Sequence, residues 1–121
     1  MSQVDFEQIE GMAIAHLKGD LDAANAAAVQ RELAEALGPD ALNLVIDLSH
    51  TRYLDSAGID MLLRFSDRLD HRRSKLILVI PESSQLNRLL TIVGLPEAIA
   101  IHPSLDEALA GQRSGGPCDR A

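Results

Sequence analysis

Cys118 is the only cysteine in the 121-residue chain. An intrachain disulfide is thereby excluded, and so is a cysteine-rich metal site. Tryptophan is absent and only Phe6, Tyr53 and Phe65 are aromatic, so any core is built from Leu, Ile, Val and Ala. Positive charge is scarce: 11 Lys and Arg stand against 18 Asp and Glu, a formal net charge of −7. A nucleic-acid binder needs a basic patch to displace counterions, and a grip on anionic lipid needs one too; this balance argues against both. No apolar run approaches the roughly 20 residues of a membrane span. The start, MSQVDFEQIEG, has no basic n-region and no apolar h-region, so no secretory signal is read there. There is no internal repeat, P-loop, zinc spacing or Gly-rich dinucleotide loop. No cofactor and no metal are expected, and a cytoplasmic location fits the cysteine usage.

What remains is ordinary for one compact domain: 46% hydrophobic residues in a chain near the common domain size. VDFEQIEGMAIAHLKG reads as two short strands around a turn at Glu10–Gly11, the second ended by Gly19. A helix follows, with Val29, Leu33, Ala36 and Leu37 as its apolar stripe. Either Asp22 or Asn25 caps its start, and Gly38 and Pro39 stop it. LNLVIDLS is a near-continuous apolar run, suited to a strand covered on both sides. Ile59, Leu62, Leu63 and Leu69 mark a second helix, ending in basic HRRSK where positive charge suits the C-terminus. KLILVI is another buried strand, closed by Pro81. The third helix carries Leu86, Leu89, Leu90 and Val93 on one face and ends at Gly94. AIAIHP is a short last strand, and Ser104 with Glu107 has capping-box spacing before a last helix. From Gly111 periodicity is lost, and residues 111–121 read as a flexible tail. The order ββαβαβαβα predicts an α/β fold with a mixed sheet of four to five strands and about four helices.

The stretch DLSHTRYLDSAGIDMLL, Asp47 to Leu63, carries a more specific signal. An apolar strand ends in Asp-Leu-Ser, and Asp55-Ser56-Ala57-Gly58 then opens a helix. This resembles the STAS domain of anti-sigma factor antagonists. GDLDAANA resembles that family's segment before the first helix, and VGLPEAIAIHPSLDEALA its closing helix, strand and helix. The likeness spans Val4 to about Ala110, giving a domain over residues 1–110. It implies a mixed sheet with helices packed mainly on one side. It also implies that Ser56 is phosphorylated by an anti-sigma factor that is itself a serine kinase. The unmodified protein would bind that factor, phosphorylation would break the complex, and a separate serine phosphatase would restore it. The chain departs from close relatives at Ala57, where they carry a serine, and at Asp60, a charge expected in the first helical turn.

Each residue also has a plainer reading. Ser56 or Asp55 serves as the helix N-cap, worth about 1 kcal/mol. Gly58 is either a tolerated glycine or a bare backbone that lets a kinase or ligand approach; the second reading is preferred because Gly58 directly follows Ser56 and Ala57. Loops after parallel strands gather at one sheet edge, so Asp20, Asp22 and Asn25 are expected beside Thr51, Arg52, Asp55, Ala57, Gly58 and Asp60 in one partner-binding surface. Asp47 and Ser49 read as a strand end and a turn. An enzyme is the rival class, yet Ser56 lacks a nucleophile-elbow context and His16, His50, His71 and His102 are scattered. A second rival is a STAS interaction or ligand-binding module without phosphorylation, part of a larger regulatory or transport complex.

Overall fold

The computed structural model describes residues 3–37 and 43–114. Strands β1 (Val4–Ile9) and β2 (Met12–Leu17) form an antiparallel hairpin, with Val4 opposite Leu17 and Ile9 opposite Met12. Its two-residue turn has Glu10 at φ 53° and Gly11 at φ 83°. Paired positive φ values match the right-handed twist of the flanking strands. Then follow α1 (Ala26–Leu37), β3 (Leu44–Asp47), α2 (Ser56–His71), β4 (Leu76–Val79) and α3 (Leu86–Ile92). A short 3-10 turn (Leu95–Glu97), β5 (Ala100–His102) and α4 (Leu105–Ser114) complete the order. The five strands lie in sequence order across one sheet, and every pair after the hairpin is parallel. The expected mixed α/β sheet with four helices is therefore observed.

The parallel crossovers all step the same way across the sheet. Right-handed connections then place α1, α2 and α3 on one face. Strand periodicity sorts the side chains accordingly. Ala15, Leu17, Leu44, Ile46, Leu76 and Leu78 face those three helices and meet Val29, Leu33, Leu62, Phe65, Leu69 and Leu90. Met12, Ile14, Val45, Ile77 and Val79 face the other way and are covered by Ala108 and Leu109 of α4. Burial on both faces explains the unbroken apolar text of β3 and β4. The edge strand β1 turns Asp5 and Glu7 to solvent, charges that discourage further strand pairing.

Some details differ from the sequence pattern. Ala26 joins Val29, Leu33 and Leu37 on the buried stripe of α1, whereas Ala36 is exposed. Val93 lies beyond the end of α3 and is exposed, not on its inner face. The Glu107 N–H does donate to the Ser104 hydroxyl at 3.2 Å, as a capping residue requires. Helix α4 continues through Ser114, so the first four residues of the expected tail, Gly111 to Ser114, are helical. Residues 115–121, with Cys118, lie outside the described residues, as do Gly38 and Pro39. Among the described residues no helix is long and apolar enough to cross a membrane.

Leu62 is fully buried at the centre of the α2–sheet contact. Leu62→Ala should cost about 2–5 kcal/mol through lost transfer energy and residual cavity. Urea denaturation reads this as a lower midpoint with an unchanged slope.

Candidate functional site

Parallel strands send the loops after β2, β3 and β4 to one edge of the sheet. The first two of these loops bind each other. One oxygen of Asp20 accepts the backbone N–H groups of Arg52 and Tyr53, both at 3.1 Å. Leu21 and Leu54 form a parallel bridge, with the Leu21 N–H donating to the Tyr53 carbonyl at 3.1 Å and the Asp55 N–H to the Leu21 carbonyl at 3.3 Å. The Thr51 hydroxyl donates to the Gly19 carbonyl at 2.9 Å. Both bridging leucines are buried, so the contact is an apolar anchor ringed by backbone hydrogen bonds.

Ser56 is the first residue of α2 and is exposed. Asp55 is the N-cap, its Oδ1 accepting the Gly58 N–H at 3.0 Å while Oδ2 accepts the Ala23 N–H at 3.2 Å from the opposite loop. Capping therefore falls to Asp55, and the Ser56 hydroxyl faces solvent at the positive end of a 16-residue helix.

The expected partner surface divides by accessibility. Asp20, Arg52 and Asp60 are exposed with Ser56, and Asp22, Asn25, Asp55 and Ala57 are half-buried. Gly58 and Thr51 are buried, which corrects their reading as contact residues. A Cβ on Gly58 would come within 2.9 Å of Leu54 Cδ1 and 3.0 Å of both Leu21 Cγ and the Leu21 carbonyl oxygen. The bare backbone at Gly58 makes room for the chain's own Leu21 and Leu54. Asp22 and Asn25 shape the loop before α1: Asn25 Oδ1 accepts the Asp22 N–H at 2.9 Å, and Asn25 Nδ2 donates to the Asp20 carbonyl at 2.8 Å. Asp60 lies past the first turn of α2, not within it, and pairs with Arg64 at 2.8 Å.

Sequence reasoning missed a second cluster, just beneath these loops. His16 Nδ1 meets Asp47 Oδ2 at 2.7 Å and Nε2 meets Glu7 Oε2 at 2.6 Å. The other Asp47 oxygen accepts the Ser49 hydroxyl and its N–H. Burial works against the imidazolium, but the hydrogen bonds and charges of Glu7 and Asp47 outweigh it and raise the His16 pKa. Burial likewise works against the Asp47 carboxylate and is outweighed by the bonds from Ser49 and His16, which lower its pKa. Both imidazole nitrogens are occupied by carboxylates, so His16 offers no base to a serine. The cluster ties β1, β2 and β3 together. The one available signal was a histidine interrupting the apolar strand MAIAHL; its partners depend on strand register.

Comparison with known proteins agrees with this architecture. The STAS domain family model matches residues 3–108. The anti-sigma-F factor antagonist RsfB of Mycobacterium tuberculosis is 31% identical over 110 residues, which cover 91% of this chain and 88% of RsfB. An anti-sigma factor antagonist structure from Mycobacterium paratuberculosis superposes with a TM-score of 0.82 at 24% identity, covering 92% of this chain and 93% of the other. SpoIIAA of Bacillus in its phosphorylated form shares the fold with a TM-score of 0.65 at 17% identity, covering 88% and 96% of the two chains.

Two substitutions test this geometry. Ala exceeds Gly in helix propensity by about 1 kcal/mol, yet a Cβ at position 58 would stand 3.0 Å from the Leu21 carbonyl oxygen and 2.9 Å from Leu54 Cδ1, both of which must shift, and overpacking costs about 1–3 kcal/mol. Gly58→Ala should therefore lower the urea midpoint; a midpoint above wild type would contradict the packing described. The raised His16 pKa makes its stabilisation complete below the unfolded value of 6.5 and lost as pH climbs through the folded value. The lowered Asp47 pKa makes its share complete above 3.8 and lost as pH falls. The wild-type urea midpoint should thus decline from about pH 6 to pH 9, and His16→Gln should flatten that decline.

Proposed function

The chain belongs to the STAS domain family, and we propose that it acts as an anti-sigma factor antagonist whose grip on its partner is controlled by phosphate on Ser56. In this reading the unmodified protein binds an anti-sigma factor that is also a serine kinase. Phosphorylation of Ser56 breaks that complex and a serine phosphatase restores it. The protein is then a cytoplasmic regulatory binder and a kinase substrate, not a catalyst. The observation that carries the reading is the exposed Ser56 hydroxyl at the first position of α2, released from capping by Asp55. The likeness to RsfB, named for the same activity, supports it. SpoIIAA, which shares the fold, has been solved as a phosphoprotein.

Electrostatics suffice for such a switch. A phosphate adds roughly −1.5 to −2 charge and three acceptor oxygens. A helix N-terminus tolerates an anion, so the domain's own stability changes little. The new dianion stands near Asp55 and the exposed Asp60 on a chain of net charge −7. Against a partner surface fitted to a neutral hydroxyl, like-charge contact and desolvation cost several kcal/mol. A thousandfold loss of affinity needs only about 4 kcal/mol.

Ser56→Ala should bind the anti-sigma factor whether or not ATP is present, and Ser56→Asp should bind at least about tenfold more weakly. Wild type incubated with that factor and ATP should gain one phosphate-sized mass increment, mapped to Ser56 by peptide sequencing. Wild-type behaviour of both variants, with no increment at Ser56, would remove the proposal.

A further inference from the structure

We infer that the open groove between the β3–α2 loop and α3 is a second half of the partner interface, and that it seats an amphipathic segment whose apolar side chain is flanked by carboxylates. This rests on the reading of Ser56 as the switch and names the partner chemistry beside it. The groove measures about 340 Å³, with Tyr53, Leu89 and Ile92 as apolar walls and Arg52, Gln85 and Arg88 among its polar ones. Helix α3 already satisfies the core with Leu86 and Leu90. Ile92 is nevertheless 74% exposed and Tyr53 53%. Two large exposed apolar side chains, Tyr53 and Ile92, meeting half-buried Leu89 in one groove mark a contact surface, because single exposed residues are usual but clusters are not.

Charge selects the occupant. The chain is acidic overall, yet the two charged side chains lining this groove are both arginine. Among the described residues neither Arg52 nor Arg88 has a carboxylate within ion-pairing distance, whereas Lys18 and Arg64 are paired with Asp5 and Asp60. Glu82 is the one carboxylate lining the adjoining hollow with Arg88. Tyr and Arg are the side chains that most often dominate interface energetics, and a positive groove on a negative body steers an acidic segment toward it. A second copy of a chain with net charge −7 would bring repulsion to the same place. Position links the groove to the switch. Asp20 fixes the backbone of Arg52 and Tyr53, and that loop runs directly into Ser56. An occupant of the groove therefore lies along the segment that presents the hydroxyl.

The test places Arg88→Glu and Ile92→Asp separately in the Ser56→Ala protein and titrates each with the purified anti-sigma factor kinase of the same organism, at low and high salt. Circular dichroism melts confirm that the exposed substitutions leave the fold intact. Each should weaken binding roughly tenfold or more, and Arg88→Glu should flatten the salt dependence. Unchanged affinity in both variants, with Ser56→Ala still binding, would overturn the groove while leaving the switch in place. Failure of Ser56→Ala itself to bind would overturn the switch, and the groove with it. Sedimentation showing a dimer that Ile92→Asp dissociates, with partner affinity unchanged, would assign the groove to a second copy and overturn the inference.

Discussion

The Leu21–Leu54 bridge and the Asp20 carboxylate beside it hold the site together. Leu21 belongs to the loop before α1 and Leu54 to the loop before α2, so the contact joins two segments that the sheet merely brings near. Burying two leucines is worth about 1.5–3 kcal/mol each. The hydrogen bonds from Arg52, Tyr53 and Asp55 add about 1 kcal/mol apiece. Together these offset the roughly 1–2 kcal/mol per residue that ordering a loop costs. The outcome is a fixed start for α2, and with it a fixed place for Ser56. Gly58 is part of the same constraint, since a side chain there would press against both leucines.

In the proposed reading, stability and signalling are thereby kept on different atoms. Asp55 caps the helix and reaches across to Ala23, so Ser56 is free of structural duty. A phosphate added at Ser56 changes charge at a surface without removing a bond from the fold. Beneath the loops, Glu7, His16, Asp47 and Ser49 tie three strands together, so the platform under the proposed switch is held by polar contacts as well as apolar ones. The arginine-lined groove beside Tyr53 gives the same edge a basic feature on an acidic protein. The proposed interface thus combines a charge-sensitive point with an apolar seat, which supply timing and affinity respectively.

The fold was legible because its signals are local and repetitive. Apolar runs bounded by Gly, Pro and Asp marked β3 and β4, helical spacing marked α1 and α2, and Ser104 with Glu107 marked the start of α4. Membership of the STAS family was legible through the Asp55-Ser56-Ala57-Gly58 text at a strand-to-helix junction. What escaped depends on contacts between distant segments. Gly58 was read as an opening for a partner, because nothing in sequence says that Leu21 lies 3.0 Å from where its Cβ would be. Thr51 was read as surface, although its hydroxyl is spent on the Gly19 carbonyl. His16 meets Asp47 only because β2 and β3 pair in parallel at that register. Val93 was placed on the inner face by extending helical spacing past the point where α3 ends.

The central claim is that phosphate on Ser56 alters binding while the loop junction beneath it stays closed. Amide hydrogen exchange on stoichiometrically phosphorylated and unmodified protein tests it most directly, read at Arg52, Tyr53 and Gly58, whose N–H groups are held by Asp20 and Asp55. The account predicts equal protection at these amides in the two forms, together with a loss of affinity for the anti-sigma factor on the order of a thousandfold. Loss of protection at these amides on phosphorylation would contradict it, because the switch would then work by opening the junction.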